Sequence, residues 1–307
     1  ETIQSLITEH LEDRSIRLAD VGADGATTQP ADTKRSEHDN LPTLGKYRDL
    51  GPIGEGGMGV VRRVFDPVLN RTLAMKIIHP DAQGSEQLIA RFVEEVQVSS
   101  QLQHPNIIPV HELGVLEDGR AYFTMKEIKG RQFAQAIKAV HEASRDGRWR
   151  ASKGGWTFPR LIEIFRQICS AMAYVHSRGV IHRDLKPANI MIGAFDEVMI
   201  VDWGLAKVIG HQSKTGAPFE SVTTKRTENK ALQTLVGAVT GTPSYMSPEQ
   251  AMGLTADIDA RSDIYALGAI LYYILMGRAP FDGQGAKEIL KRVVMESPPT
   301  LRRRVEL

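Results

Sequence analysis

Apolar positions change their period along the chain, and the changes mark its organisation. In residues 1–20, Ile3, Leu6, Ile7 and Leu11 fall at helical spacing, which predicts a short helix. Residues 21–43 are poor in apolar side chains and rich in Gly, Pro, Asp and Thr, as a flexible linker would be. From about residue 45 the texture turns to short β-rich runs, "YRDLGPIG", "MGVVRRVFD" and "RTLAMKIIH". A helical pattern over 85–102 follows, with Leu88, Phe92, Glu95, Ser99 and Leu102 on one stripe and Glu94 pointing elsewhere. Strand-like runs then continue through "AYFTMKEI". After residue 132 helical signals dominate, with strands only near 180–202. The apolar run "YALGAILYYILMG" near 265–277 is too short to span a bilayer and reads as a core helix. These patterns predict an α+β chain with an extension over 1–44 and a folded part over 45–307. The folded part divides into a small β-rich lobe with one helix (about 45–125) and a larger, mainly helical lobe (about 130–307).

Composition narrows the function classes. The 38 basic residues nearly balance 37 acids, for a formal net charge of +1, so nothing points to nucleic acid or to an anionic membrane as partner. The single cysteine, Cys169, lies in an apolar helical segment and reads as a buried thiol, in keeping with a reducing compartment.

Candidate chemistry starts in "GPIGEGGMGVVRRVF". Gly54, Gly56 and Gly59 have G-x-G-x-x-G spacing, which also marks dinucleotide-binding folds. Those folds need a helix directly after the loop, whereas Val60, Val61, Val64 and Phe65 favour a strand. The loop therefore joins two strands, and its bare backbone can lie over phosphates. In "TLAMKII" a period of two puts Ala74, Lys76 and Ile78 on one face. A lysine among apolar neighbours needs an anion, and Glu95 on the following helix is the expected one. In "VIHRDLKPANIMI", Asp184, Lys186 and Asn189 supply a carboxylate to take a hydroxyl proton, a cation for phosphate and an amide oxygen for a divalent metal.

With "GEGGMGVV", "AMK", "HRDLKPAN", "DWG" and "SPEQA" in this order, the chain resembles a protein kinase. It is most similar to the bacterial serine/threonine kinases of eukaryotic (Hanks) type, from about Tyr47 to about residue 299. The resemblance implies a bilobal kinase fold and transfer of the γ-phosphate of ATP to Ser or Thr hydroxyls of proteins. Magnesium would assist, with manganese as an alternative ion. Residue by residue, it makes Asp184 the proton acceptor, Lys186 a phosphate contact, and Asn189 with Asp202 the metal ligands. Ile53, Gly54, Gly56, Gly59 and Lys76 would face the nucleotide. Val61, Ala74 and Met191 would sandwich the adenine, and Met125 with Lys126, Glu127 and Ile128 would form the hinge. Lys186 together with Thr242 in "GTPSYMSPEQ" is the Ser/Thr rather than the Tyr pattern. Asp263 would accept backbone hydrogen bonds from the catalytic loop.

Regulation follows from the same resemblance. Arg183 precedes the catalytic Asp, the arrangement that pairs with a phosphorylated activation segment. That segment runs from Asp202 to Glu249; Thr234 is the first expected phosphosite, with Thr223, Thr224 and Thr227 behind it. A cytoplasmic enzyme is expected, with no membrane span in this chain, a parent protein tethered through a segment outside it, and a kinase-domain dimer as a further partner.

Two departures stand out. Trp203 replaces the usual Phe, and Ser99 is expected to give it room. The arginine that normally pairs with the "PE" acid, here Glu249, belongs to C-terminal helices that the chain lacks, so Arg302, Arg303 or Arg304 must substitute or the pair is missing. A pseudokinase that binds nucleotide without transferring phosphate is the alternative. A small-molecule kinase is disfavoured by the peptide-docking look of "GTPSYMSPEQ".

Overall fold

The computed structural model describes residues 41–82, 85–145, 147–209, 222 and 241–301. The expected N-terminal helix and linker, Thr223, Thr224, Thr227, Thr234 and Arg302 to Arg304 lie outside the described residues. The chain divides into two compact units, Glu1–Ile89 with His111–Glu127, and Ala90–Val110 with Ile128–Leu307.

The first unit is built on a six-stranded sheet of β1 (Thr43–Leu44), β2 (Tyr47–Gly56), β3 (Gly59–Asp66), β4 (Arg71–Ile78), β5 (Val110–Val115) and β6 (Ala121–Lys126), in the order β1-β2-β3-β4-β6-β5. Neighbours from β1 through β4 to β6 pair antiparallel. Alternation along β4 sends Leu73, Met75 and Ile77 into a core with Tyr47, Val64, Leu116 and Tyr122. Ala74, Lys76 and Ile78 take the opposite face, as the period of two predicts. Ala74 and Ile78 are buried as well, as befits a strand central in its sheet.

The second unit is mainly helical. Most of α1 (Glu86–Gln101) belongs to it, followed by α2 (Phe133–Ala143), α3 (Phe158–Ser177), α4 (Pro248–Ala251), α5 (Ala260–Met276) and α6 (Ala286–Met295). Short strands β7 (Arg131–Gln132), β9 (Ile190–Ile192) and β10 (Val198–Ile200) form one sheet, and β8 (Val180–Ile181) pairs with β11 (Lys207–Val208). Thr157 caps α3 with its side chain, Asp259 caps α5, and Gly277 ends α5 at φ 71°, where a Cβ would be strained. Leu161, Ile164, Ile168, Met172 and Val175 of α3 meet Ile270 and Ile274 of α5 and Phe133 and Ile137 of α2 in one continuous core.

Three details differ from expectation here. Residues Ala90–Val110 group with the helical unit rather than with the β-rich one. The cause is apolar and backbone attachment: Val98, Leu102 and Ile107 join its core, and Ile108 N–H bonds the Ile200 carbonyl at 3.3 Å. Glu94 is 8% exposed against 4% for Glu95, so burial does not set the two acids apart. The helix is enclosed on more than its expected stripe, since Val96, Gln97 and Val98 are buried too. Cys169 is half-buried rather than buried, and what burial it has pushes its thiol up. Among the described residues no helix is long and apolar enough to cross a membrane.

Candidate active site

The helical unit concentrates the polar residues of the loop from His182 to Asn189. β8 ends at Ile181, and Arg183 then takes φ 68°, a left-handed conformation that a side chain adopts only at a cost. That turn is held from α5: the Asp263 carboxylate accepts the His182 N–H at 2.8 Å and the Arg183 N–H at 2.9 Å. It also meets the His176 ring Nε2 at 2.8 Å. The expectation for Asp263 is met in full.

Beyond the turn, Asp184 is the hub of a network. Its Oδ2 accepts from Lys186 Nζ at 2.7 Å and from Asn189 Nδ2 at 3.2 Å, and its Oδ1 accepts the Thr242 N–H at 3.1 Å. Lys186 Nζ also donates to Thr242 Oγ1 at 2.7 Å, so one ammonium joins the acid to the hydroxyl. Gly241 makes the approach feasible. It has φ 126°, and a Cβ there would lie 3.2 Å from Asp184 Oδ1.

Asn189 closes the 3-10 turn Pro187–Asn189 and leads into β9. β9 and β10 form a hairpin with Ile190 opposite Ile200, and Val201 N–H bonds the Asn189 carbonyl at 2.9 Å. Asp202 follows directly at φ 66°. Asn189 and Asp202 thus emerge from the same end of one hairpin. The buried His182 ring ties this end to the loop: Nδ1 accepts Asp184 N–H at 3.3 Å and Nε2 meets the Val201 carbonyl at 3.3 Å, which suits the Nε2–H tautomer. Trp203, 1% exposed, packs on the His182 ring with centroids 4.6 Å apart and shares the apolar core with Val98 and Leu102, the residues that bracket Ser99.

Asn189 Nδ2 is engaged with Asp184, so its Oδ1 is the end left for a cation, and Asp202 supplies a carboxylate from the other arm of the hairpin. Two hard oxygen donors suit magnesium, which takes one or two protein ligands and completes its shell from phosphate and water. No group of three or more His, Cys, Asp or Glu suited to a metal occurs among the described residues.

In the β-rich unit, Ile53, Gly54 and Gly56 lie on β2, Gly59 and Val61 on β3, Ala74 and Lys76 on β4, and Met125 with Lys126 at the end of β6. Lys76 pairs across the ladder with Phe123, its ammonium 5.8 Å from the ring centroid. Glu127 follows β6 and binds Arg63 Nε at 2.5 Å. Ile128 and Met191 belong to the helical unit, as does Glu95, so Lys76 and Glu95 fall in different units. The three glycines are not equivalent. A Cβ on Gly54 or Gly56 would meet nothing within 4 Å, whereas one on Gly59 would come 2.1 Å from the Ile77 carbonyl oxygen. Gly59→Ala is therefore expected to destabilise the sheet by about 1–3 kcal/mol through overpacking. Gly54→Ala and Gly56→Ala should leave the melting temperature unchanged and raise the KM for ATP a few-fold. Thermal melts of all three beside ATP titrations check this, and equal melting losses would refute it.

Sequence reasoning missed three contributors. Gln250 Nε2 donates to the Arg183 carbonyl at 2.8 Å, bracing the catalytic turn from α4. The S-x-x-Q capping box of "SPEQ" was its available signal. His176 bonds Asp263 from α3, and nothing in local pattern marks it. In the β-rich unit the His79 ring lies 2.9 Å from the Gly56 carbonyl and holds the glycine loop to the end of β4. Glu249 receives a hydrogen bond from the Ser262 hydroxyl. Burial pushes its carboxyl up, but the bonds from Ser262 and Ser247 outweigh that and hold it below the usual carboxylate range.

Residues 47–305 match the protein kinase domain as a sequence family. The chain is 39% identical over 265 residues to the serine/threonine-protein kinase PknD of Protochlamydia amoebophila, covering 86% of this chain and 26% of that protein. It is 37% identical over 264 residues to the serine/threonine-protein kinase pkn3 of Myxococcus xanthus, covering 84% and 43% respectively. PknD of Chlamydia felis is 37% identical over 265 residues, at 82% and 26%. The chain thus spans a quarter to less than half of the length of these relatives. With an antiparallel β-rich unit, a mainly helical unit and a family match over most of its length, the chain belongs to the protein kinase family.

Proposed function

We propose that this chain is the catalytic part of a serine/threonine protein kinase, moving the γ-phosphoryl group of ATP to Ser or Thr hydroxyls of proteins. The observation that carries the reading is the Lys186 ammonium bonded at once to Asp184 Oδ2 and Thr242 Oγ1. Such a bridge holds together an acid, a cation and a loop hydroxyl, the set of groups that orienting and deprotonating an acceptor hydroxyl calls for. Asp184 takes the hydroxyl proton, and Lys186 offsets the charge on the transferring group. Asn189 Oδ1 and the Asp202 carboxylate would hold magnesium, which when bound neutralises phosphate charge. Lys76 contacts the phosphates, and Glu95 is its orienting acid. The glycine loop, Val61, Ala74, Met191 and the segment 125–128 bind the nucleotide.

The coupling of Asp184 to Lys186, Asn189 and Thr242 in one part-buried network favours catalysis over a scaffold role, since a scaffold has no use for such an arrangement. We further propose that Thr234, and after it Thr223, Thr224 and Thr227, are phosphorylated by the chain itself. The test is phosphosite mapping after incubation with magnesium and ATP, with a generic basic protein as acceptor and Asp184→Asn as control. Phosphoserine and phosphothreonine that vanish in the control support the reading. ATP binding without transfer to either acceptor would sink it.

A further inference from the structure

The connection from α2 to α3, Ser144 to Thr157, is longer than the roughly 2–8 residues that usually join packed helices. Connections of that size with a fixed shape are disproportionately functional. This one is shaped from within: Arg150 N–H bonds Ser144 Oγ at 2.9 Å, Ser152 N–H bonds the Trp156 carbonyl at 2.8 Å, and Trp156 N–H returns to Ser152 Oγ at 3.1 Å. Both its tryptophans are anchored. Trp156 is buried beneath the Arg160 guanidinium, 4.0 Å from the ring centroid. Trp149 stacks on Phe158 at 4.2 Å and meets the His141 ring edge-on at 5.2 Å.

Trp149 is nonetheless 48% exposed, and Trp156 and Trp203 are both buried. The same loop carries four exposed basic residues, Arg145, Arg148, Arg150 and Lys153, and its sequence holds one acid, Asp146. In a chain with a net charge of only +1 this is a local excess. A rigid aromatic among cations is the composition of a binding hot spot rather than of a solubilising surface.

We propose that this loop is a docking surface for acidic segments of the protein substrates. The carboxylates of such a segment would pair with the four cations, and its aliphatic stems would lie on the exposed part of Trp149. The inference rests on the kinase reading for the word substrate, and on the loop alone for the binding. An acidic protein segment fits better than the other polyanions. Phe158 already covers one face of Trp149, so there is no second aromatic face for a stacked nucleobase. Within 144–157 Trp149 is also the only exposed large apolar side chain among the described residues, too little to enter a bilayer. An exposed ion pair contributes only about two- to fivefold in affinity, so four with an aromatic anchor are needed for a useful effect, here roughly tenfold or more.

The test uses the whole chain and a fluorescein-labelled peptide rich in Glu and Asp, read by anisotropy against its Gln/Asn counterpart. The acidic peptide should bind at least about tenfold tighter, with affinity falling as salt rises. Replacing Arg145, Arg148, Arg150 and Lys153 together by Gln should erase that preference in a chain that still melts cooperatively. In phosphorylation assays the same variant should raise the KM of an acidic-tailed acceptor peptide about tenfold. The kcat, the KM for ATP and the KM of the tail-less peptide should stay put. Equal affinity of parent and variant for the acidic peptide would overturn the proposal. So would tighter binding of a single-stranded RNA or of anionic vesicles than of the peptide. Anisotropy needs no catalysis, so a chain that binds the peptide but transfers no phosphate would refute the kinase reading and leave the docking surface standing.

Discussion

Replacing Asp184 by Asn should lower the rate of phosphoryl transfer by about 10²–10⁴-fold, the range a positioned general base contributes. The substitution keeps the volume and changes two things. It removes the group that accepts the hydroxyl proton, and it turns one acceptor oxygen into an NH₂ donor. Oδ1 could still accept the Thr242 N–H, but the new Nδ2 would face Lys186 Nζ and Asn189 Nδ2, both donors. Lys186 would therefore lose its carboxylate partner and lean on Thr242 Oγ1 alone. Because Asp184 is not among the proposed metal ligands, ATP affinity should stay within about twofold. The measurement is kcat for phosphate incorporation beside an ATP titration. A variant within tenfold of the parent in kcat would remove Asp184 from the chemistry. A collapse of ATP affinity would mean that it holds the nucleotide or its metal.

The contrast between this loop and the rest of the site shows what could be read from the chain. Asp184, Lys186 and Asn189 fall within a few residues of one another, between apolar β-type runs, so their constellation is local and visible in sequence. The strands were legible for a similar reason: a period of two on β4 is a property of eight consecutive residues. The braces of the loop were not. Gln250 is 67 positions from Arg183 and His176 is 87 from Asp263, and no local rule selects such partners. Asp263 itself was expected only through family resemblance. Periodicity also overreached at Glu94, because a single stripe describes a helix covered on one side, and α1 is covered on more. Gly59 shows a different limit. The motif treats it as one of three glycines over phosphate, while its position requires glycine because the backbone of β4 runs against it.

Asp263→Ala is expected to destabilise the helical unit by about 3 kcal/mol and to lower kcat with it. The Asp263 carboxylate is 1% exposed and serves three donors, two of them backbone N–H groups of the catalytic turn. Left without an acceptor in the interior, each N–H costs about 1–3 kcal/mol. The Arg183 backbone is held at φ 68°, a conformation about 1–2 kcal/mol above the right-handed one, and those two bonds hold it there together with the Gln250 brace. Without them the turn should relax and carry Asp184 away from Lys186 and Thr242. Asp263→Asn should be nearly as damaging: one oxygen can still accept the Arg183 N–H, but the amide NH₂ would point at the His182 N–H, donor against donor. For a unit of this size the melting temperature should fall by about 6–12 °C. The decisive comparison is calorimetry beside kcat and KM. A loss of kcat at unchanged melting temperature would make Asp263 a participant in the chemistry, whereas a joint loss with unchanged KM for ATP identifies it as the residue that positions the catalytic turn.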